Sequence, residues 1–309
     1  MITIALAAYN GEKYIEEQLD SLIEQDIDED LSIVVADDGS ADKTFGILCD
    51  YVERYPGLIN AAVNEVPTGS AKGNFFGLLR SIDDDYVMLC DQDDVWNADK
   101  VRVTFERMKK LEAKYGKDTP LLVFGDVEVV DEGLNVISES MARYQKTAPH
   151  HNGLNHYLVQ NNIIGCTVMI NRALLNYTKY EPKVCMMHDW WLGLLASAFG
   201  HISFIDRPLM KYRQHGNNQM GTRAASDTSQ YIERLSKGEE VRRNYDIMFK
   251  QAELFLERYE NELSSEQINL IKGFLSLRQS SRIKKIYKIF KYRLFKSTWF
   301  WTLGQCLSI

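Results

Sequence analysis

Three carboxylates within four positions are the residues of this chain best suited to chemistry. Asp91, Asp93 and Asp94 directly follow the apolar segment 86–90, with Gln92 between them. Carboxylates this close repel one another, so keeping them all ionised requires a positive counter-charge. A divalent cation supplies that charge, and carboxylate oxygens suit Mg²⁺ or Mn²⁺. The alternative is a solvated acidic turn, which is the commoner origin of an isolated pair of aspartates.

The segments around this cluster predict a doubly wound α/β fold with a mostly parallel sheet. Short apolar segments typical of buried strands occupy residues 2–7, 31–36 and 58–63. Helical spacing of apolar residues fills 14–23, between the first two segments. Such alternation favours parallel strands, whose carboxyl ends bind ligands. The pair Asp37-Asp38 ends the second strand, so we expect both acidic clusters to lie at that edge of the sheet.

A glycine-rich turn at 69–73 enters a predicted helix over 75–82. Glycines let the backbone approach a phosphate, and Lys72 would pair with its charge. The turn lacks the Gly-Lys-Ser/Thr ending of a P-loop, so that motif is excluded. An isolated turn of this kind is more often only a turn.

Composition excludes several classes of protein. The chain has 309 residues, and its five cysteines are scattered without paired metal spacing, which favours a reducing compartment and no disulfide framework. The apolar start at 2–7 runs straight into polar residues, so we expect no signal peptide. No stretch of 18 uncharged apolar residues occurs, so we expect no membrane span.

The charge is unevenly distributed along the chain. The net charge is −7, yet no acidic residue follows Glu266, and the segment beyond it contains nine Lys or Arg. Apolar residues at helical spacing lie between these basic residues, at Ile283, Ile286, Ile289, Phe290 and Leu294. A basic amphipathic helix suits an anionic membrane surface, at about 1 kcal/mol per basic residue. We therefore expect 272–309 to contact such a membrane. The alternative is a helix packed on the body of the protein or on a second subunit of a homodimer, and the acidic body argues against nucleic acid.

Five motifs together resemble the family 2 inverting glycosyltransferases, which have the A-type nucleotide-sugar transferase fold. In chain order they are Ala8-Tyr9-Asn10-Gly11, Asp37-Asp38-Gly39-Ser40, Asp91-Gln92-Asp93-Asp94, the segment 162–167, and His188-Asp189-Trp190. With Tyr212-Arg213-Gln214-His215 the chain is similar to the bacterial rhamnosyltransferase branch of that family. The resemblance covers about residues 1–219.

The resemblance implies a donor site. Asp38 would take the nucleobase edge, with Asp37 as the alternate. Lys72 and Asn74 would lie near the nucleobase or the diphosphate. The implied donor-binding residues are Ala7, Tyr9, Asn10, Asp37, Asp38, Lys72, Asn74, Asp91, Gln92 and Asp93. The implied metal ligands, for Mg²⁺ or Mn²⁺, are Asp93 or Asp94, together with His215. His215 would alternatively touch the diphosphate, and without the resemblance it reads as an ordinary loop histidine.

The resemblance also implies an acceptor site, with Asp189 as the general base and with His188, Trp190 and Trp191 at the acceptor. The family often has Glu-Asp where this chain has His188-Asp189, which keeps the base and changes its neighbour. Asp189 as the N-cap of the following helix is a compatible structural alternative. Of the two tryptophans, we expect one to be buried and one to face the acceptor.

The resulting expectation is a metal-dependent inverting enzyme that moves a sugar from a nucleotide-sugar donor, TDP-rhamnose or a UDP-sugar, to an oligosaccharide or lipid-linked acceptor. It would build a surface or cell-wall polysaccharide in the cytoplasm, at the inner face of the cell membrane. The catalytic domain would span 1–220, with a nucleotide half to about 100 and an acceptor half beyond it. A linker at 221–229 would then open a helical, basic region over 221–309.

Two other functions are open at this point. A sugar nucleotidyltransferase shares a related sheet, but it predicts a glycine-rich, basic first loop, which Tyr9-Asn10-Gly11-Glu12 is not. A non-catalytic partner subunit would use the fold only to bind a nucleotide sugar. The intact acidic cluster and Asp189 argue against that alternative.

Overall fold

The computed structural model describes residues 1–216 and 238–308, which form two compact units. The described residues of the first unit are 1–141, 163–181 and 201–216, and those of the second are 142–162, 182–200 and 238–308. The predicted domain boundary at 220 and the predicted linker at 221–229 lie outside the described residues, so both stay predictions.

Four parallel strands form one half of the sheet in the first unit, in the order β3-β2-β1-β4. They are β1 (Ile2–Ala8), β2 (Leu31–Asp37), β3 (Ile59–Val63) and β4 (Tyr86–Cys90). The helices that connect them are α1 (Ile15–Ile23), α2 (Thr44–Arg54) and α3 (Ala71–Ser81). Every residue of β1 and β4 is buried, because helices cover both faces of such a sheet. Helix α3 begins before the predicted residue 75, because the Ser70 side chain caps it by accepting from the Gly73 N–H.

The other half of the sheet is mixed and follows the order β8-β6-β9-β5, with β7 beside β6. Its strands are β5 (Val95–Trp96), β6 (Leu121–Val130), β7 (Val136–Ser138), β8 (Met169–Asn171) and β9 (His201–Arg213). Strand β9 runs parallel to β6, whereas β8, β7 and β5 pair antiparallel with their neighbours. The helices of this half are α4 (Lys100–Tyr115) and α7 (Arg172–Tyr177), and a 3₁₀ turn covers Gly165–Thr167. The predicted α/β fold class is confirmed.

The second unit is helical. It contains α5 (Met141–Gln145, whose first residue belongs to the first unit), α6 (Leu154–Tyr157), α8 (His188–Phe199), α9 (Gly238–Tyr259), α10 (Ser265–Leu275), α11 (Arg282–Lys291) and α12 (Trp299–Ser308). Aromatic rings of α8 and α9 form its core, with Trp191 and Phe199 packed on Phe255. The helical C-terminal region is therefore confirmed. Among the described helices, none has both the length and the apolarity that crossing a membrane requires.

Parallel pairing brings three strand ends to one edge of the first unit. Leu6 of β1 lies opposite Cys90 of β4, and Ala8 lies opposite Asp37 of β2. The loops that follow β1, β2 and β4 therefore emerge side by side, which is where an α/β sheet binds its ligands.

Candidate functional site

Hydrogen bonds join the loop after β1 to the loop after β2. Asn10 adopts a left-handed backbone conformation with φ +48°, which asparagine tolerates better than most residues. Its backbone N–H donates to Ser40 Oγ at 2.8 Å, and its side-chain Oδ1 accepts from the Ala41 N–H at 2.8 Å. The Gly11 N–H donates to Thr44 Oγ1 at 2.7 Å. Asn10, which was predicted to bind the donor, thus holds the conformation of the loop in this structure.

Gln92 connects the same loop to the one after β4. The Tyr9 N–H donates to Gln92 Oε1 at 2.8 Å, and Gln92 Nε2 donates to the Tyr9 carbonyl at 2.9 Å. A Cβ on Gly11 would lie 2.3 Å from Gln92 Oε1, so a larger residue there would displace the Gln92 side chain from these hydrogen bonds. Tyr9 is 56% exposed and therefore accessible to a ligand, whereas Ala7, which was also predicted to bind the donor, is buried in the sheet.

The Asp38 carboxylate is buried and holds the loop at 64–69. It accepts hydrogen bonds from the Thr68 N–H at 2.7 Å, the Gly69 N–H at 2.9 Å and Asn64 Nδ2 at 2.8 Å. Burial raises the pKa of Asp38, but these hydrogen bonds outweigh burial and leave the pKa lowered. The carboxylate implied for the nucleobase edge is thus already used by protein donors.

Its neighbour Asp37 is 1% exposed and accepts from both the backbone N–H and the hydroxyl of Ser40. The predicted Asn74 is also buried, and its Nδ2 donates to the Ala36 carbonyl at 2.9 Å, which ties α3 to the end of β2. Lys72 lies half-buried in the first turn of α3. In this structure Asp37 and Asn74 build the edge of the site.

The acidic loop after β4 divides into two groups. In the first group, one ligand atom each of Asp91, Asp94 and Cys166 lie within 4.8 Å of one another. Asp94 is fully buried, and its Oδ1 accepts from the Arg213 N–H at 3.1 Å. Its Oδ2 has no hydrogen-bond partner within the described part of the chain. Burial, and then the negative charges of Asp93 and Asp91, raise the pKa of Asp94 well above its usual range. A buried carboxylate oxygen that accepts no hydrogen bond from the described residues and lies near two further negative charges fits a site for a cation.

The second group pairs Asp93 with His215. His215 Nε2 lies 2.7 Å from Asp93 Oδ2, and the His215 ring packs 5.0 Å from that of Tyr14. The structure therefore brings two of the three predicted metal ligands together. The third, Asp94, lies in the group with Cys166, a residue that sequence reasoning did not single out. The signal available for it was only its place in the segment 162–167.

Arg213 fixes this corner of the first unit. Arg213 is 2% exposed. Its Nε donates to the Asp93 carbonyl at 2.9 Å, and its Nη1 donates to the Glu132 carbonyl at 2.6 Å. Its Nη2 forms an ion pair with Glu17 of α1. Sequence reasoning quoted Arg213 only as part of a motif, and its position two residues before His215 was the available signal.

Lys100 is a buried cation beside the acidic loop. Its Nζ donates to the Cys166 carbonyl at 2.7 Å and lies 3.2 Å from the centroid of the Trp96 ring. Burial lowers the pKa of Lys100 to about 8, although the charges of Asp94 and Asp91 act to raise it. Sequence reasoning missed this residue, because a lysine near the start of an amphipathic helix is ordinarily exposed.

The predicted base lies in the second unit. Asp189 occupies the first turn of α8, and its Oδ1 accepts from the Trp190 N–H at 2.6 Å. The alternative role of Asp189 as the N-cap is wrong, because the helix begins at His188 and Met187 is the N-cap. A carboxylate in a first helical turn is stabilised in its charged form by the helix dipole.

The predicted acceptor residues differ in burial. Trp190 is half-buried, and its indole N–H donates to the Tyr157 carbonyl at 2.6 Å. Trp191 is 0% exposed and packs edge-on against Phe255, with ring centroids 5.5 Å apart. His188 is also buried, and burial lowers its pKa to about 3. In this structure neither the Trp191 nor the His188 side chain is accessible to an acceptor, and their acceptor role stays a prediction. The expectation that one tryptophan is buried is confirmed.

Parallel strands that end in polar loops at one edge of the sheet are the arrangement of the A-type nucleotide-sugar transferase fold. Residues 3–176 match the family model described as glycosyl transferase family 2, and the chain belongs to that family. It is 32% identical over 230 residues to the dTDP-rhamnosyl transferase RfbG of Shigella flexneri, a match that covers 70% of this chain and 73% of that protein. The predicted family is thereby confirmed.

Two solved structures show the same fold. The crystal structure of S. aureus TarS 1–349 in complex with UDP-GlcNAc has a TM-score of 0.54 at 19% identity, covering 94% of this chain and 90% of that one. The mannosyltransferase PcManGT from Pyrobaculum calidifontis, in complex with GDP-Man and Mn²⁺, has a TM-score of 0.51 at 16% identity, covering 99% and 85%. At these identities the comparison concerns the fold alone.

Proposed function

We propose that this family 2 member is an inverting rhamnosyltransferase that uses TDP-rhamnose as its donor. The observation that carries the proposal is the Asp93–His215 pair at 2.7 Å, beside the group of Asp91, Asp94 and Cys166, at the ends of parallel strands. The similarity to RfbG, whose name specifies dTDP-rhamnose, supports the choice of sugar. A UDP-sugar is the alternative donor, and the complex of TarS with UDP-GlcNAc supports that alternative.

The residues present fit a divalent cation, for which Mg²⁺ and Mn²⁺ are our candidates. Asp93, His215 and Asp94 would hold it, since carboxylate and imidazole groups suit Mn²⁺. When bound, the cation neutralises charge that develops on the departing diphosphate. The Mn²⁺ in the PcManGT complex supports this choice.

The residues of the chain would share the remaining work. In our proposal the exposed Tyr9 ring and Gln92 line the nucleotide pocket, and Lys72 pairs with the diphosphate. Asp38 and Asn74 support the pocket without contacting the donor. Asp38 holds the loop at 64–69, and Asn74 holds the end of β2. This division follows from which polar atoms the protein already occupies.

Asp189 would act as the general base. It takes the proton from an acceptor hydroxyl while that oxygen forms a bond to the anomeric carbon and the bond to the diphosphate breaks. A single displacement of this kind inverts the anomeric centre and requires no enzyme nucleophile. The half-buried Trp190 remains the aromatic residue proposed to contact an acceptor sugar.

We further propose that the acceptor is a lipid-linked or growing oligosaccharide of a surface polysaccharide. An enzyme with such an acceptor works as a peripheral protein at the inner face of the cell membrane. A homodimer stays an alternative use of the C-terminal region.

Nucleotide-sugar binding and transfer test the proposal in that order. With Mn²⁺ present, TDP-rhamnose is expected to raise the Tm, since a ligand at a hundred times its Kd stabilises by about 2.7 kcal/mol. UDP-GlcNAc and GDP-mannose are the matched comparisons. A shift with UDP-GlcNAc alone would contradict the sugar, and no shift with any nucleotide sugar would contradict the donor site. Transfer by wild type but not by Asp189→Asn would separate the enzyme from a non-catalytic binding subunit.

A further inference from the structure

Helix α11 has two apolar faces, and one of them packs within the second unit. Ile289 on this face and Leu294 just after the helix are 0% exposed. On the same side, Lys288 Nζ donates to Ser276 Oγ at 2.6 Å and to Ser280 Oγ at 2.9 Å. These contacts fix the rotation of the helix about its axis, so the direction of its other face is determined.

The other face carries four exposed apolar side chains in one stripe. The exposed fractions are 83% for Ile283, 40% for Ile286, 63% for Tyr287 and 47% for Phe290. Their spacing of three, four and seven residues places them on one side of an α-helix. Single exposed hydrophobic residues are ordinary on a protein surface, whereas a contiguous stripe marks a surface that binds something.

Basic side chains flank this stripe. Lys284 and Lys291, seven residues apart, lie on one side of it, and Arg282 lies on the other, all three of them exposed. No Asp or Glu occurs in the sequence after Glu266, so no acidic residue of this segment offsets their charge. The stripe is therefore complementary to a surface that is apolar inside and negatively charged at its rim.

We propose that α11 lies in the plane of an anionic phospholipid bilayer, with Ile283, Ile286, Tyr287 and Phe290 inserted at the boundary between headgroups and acyl chains. The flanking Lys and Arg side chains contact the headgroup phosphates. This inference rests on the proposed peripheral location of the protein, and it adds the surface that makes the contact.

The same charges disfavour a second copy of the chain as the occupant. In a two-fold dimer the same patch meets itself, so the basic flanks of both copies would come together. Like charges brought together across an interface oppose association. A lipid surface with negative headgroups has no such conflict.

Vesicle co-sedimentation of the full chain tests the inference. Wild type is expected to bind vesicles of phosphatidylcholine with phosphatidylglycerol, to bind pure phosphatidylcholine vesicles weakly, and to dissociate at high salt because screening weakens exposed charges. The double variant Ile283→Gln and Phe290→Gln is expected to bind these anionic vesicles with an affinity at least about tenfold lower. The matched control, Val136→Gln with Ile137→Gln, changes two exposed apolar residues of β7 and is expected to bind as wild type does.

A charge variant tests the flanks separately. Lys284→Glu with Lys291→Glu is expected to abolish the preference for anionic vesicles, while Lys110→Glu with Lys117→Glu, two exposed lysines of the first unit, keeps it. Retention of the wild-type Tm by each variant verifies folding. Equal vesicle binding by wild type and the Ile283/Phe290 variant overturns the inference but leaves the peripheral location standing. Absence of binding by wild type overturns both. Sedimentation of wild type as a dimer that the Ile283/Phe290 variant dissociates would assign the stripe to a second copy instead. Donor-induced Tm shifts report on the proposed reaction independently.

Discussion

His215 Nε2 lies 2.7 Å from Asp93 Oδ2, although 122 positions separate the two residues in the chain. The contact joins the loop after β9 to the loop after β4, and Arg213 reinforces it through the Asp93 carbonyl. An imidazole and a carboxylate at this distance form a hydrogen-bonded pair, and the same two groups are suitable ligands for one cation.

Removing one member of this pair is expected to weaken metal-dependent donor binding. Asp93→Ala should bind the nucleotide sugar about 100-fold more weakly in Mn²⁺, a loss at the upper end of those seen when groups supporting a metal site are removed. Calorimetry with the nucleotide, with and without Mn²⁺, measures the effect. Asp118→Asn, an exposed aspartate of the first unit, is the control. Normal affinity of Asp93→Ala in Mn²⁺ would refute the assignment.

Asp189→Asn is expected to lose transfer and to keep donor binding. The amide has nearly the shape of the carboxylate and cannot accept a proton, so the rate should fall by about 10²–10⁴-fold. Calorimetry should return the wild-type donor Kd. A variant that transfers at the wild-type rate would remove Asp189 from the mechanism, and one that no longer binds donor would assign it to the pocket instead.

Asp38→Asn is expected to destabilise the first unit. The new amide keeps one oxygen that can still accept, but its NH2 would face either the Thr68 or the Gly69 N–H, which leaves a buried donor unpaired at about 1–3 kcal/mol. Urea unfolding at pH 7 measures the free energy. Because the folded pKa of Asp38 is lowered, its stabilisation is present above the unfolded value and is lost as the pH falls through the folded value. Asp118→Asn should leave the free energy unchanged.

Acid is expected to destabilise the second unit through two buried histidines. Burial lowers the pKa of His188 to about 3 and that of His156 to about 4, from an ordinary 6.5. Below pH 6.5 these histidines are therefore protonated in the unfolded chain but remain neutral in the folded protein. The free energy of unfolding consequently falls as the pH drops from 6.5 toward 4. Each histidine contributes a slope of about 1.4 kcal/mol per pH unit. His188→Gln should be less stable overall, and the pH dependence of its unfolding free energy should keep only the contribution of His156. An unchanged slope in urea unfolding would count against a neutral His188.

The sheet, and the edge of it where the acidic residues lie, were predictable because they follow from local patterns. The apolar segments around Leu6, Val35 and Leu89 are separated by helical spacing, which leads to parallel strands and places the acidic pairs at one edge. The motif at Asp91-Gln92-Asp93-Asp94 likewise depends on adjacent residues alone.

Long-range partners were not predictable in the same way. Nothing in the sequence near Asp94 says that Cys166 lies beside it, or that Lys100 folds inward over Trp96. Adjacent tryptophans in an apolar helix give no sign of which one is buried, and packing on Phe255 decides for Trp191. The helical spacing in α11 likewise put Ile289 with Ile283, whereas packing separates them onto different faces.

The chain passes back and forth between its two units, so α8 ends at residue 199 while α9, which packs on it, begins only at residue 238. A shorter version of the protein ending near residue 220 would keep Trp191 and Phe199 but remove the rings of Phe255 and Tyr259 that cover them. Two freshly uncovered aromatic rings invite aggregation. Exchange of C-terminal halves between relatives should therefore succeed only when α8 and α9 are inherited together.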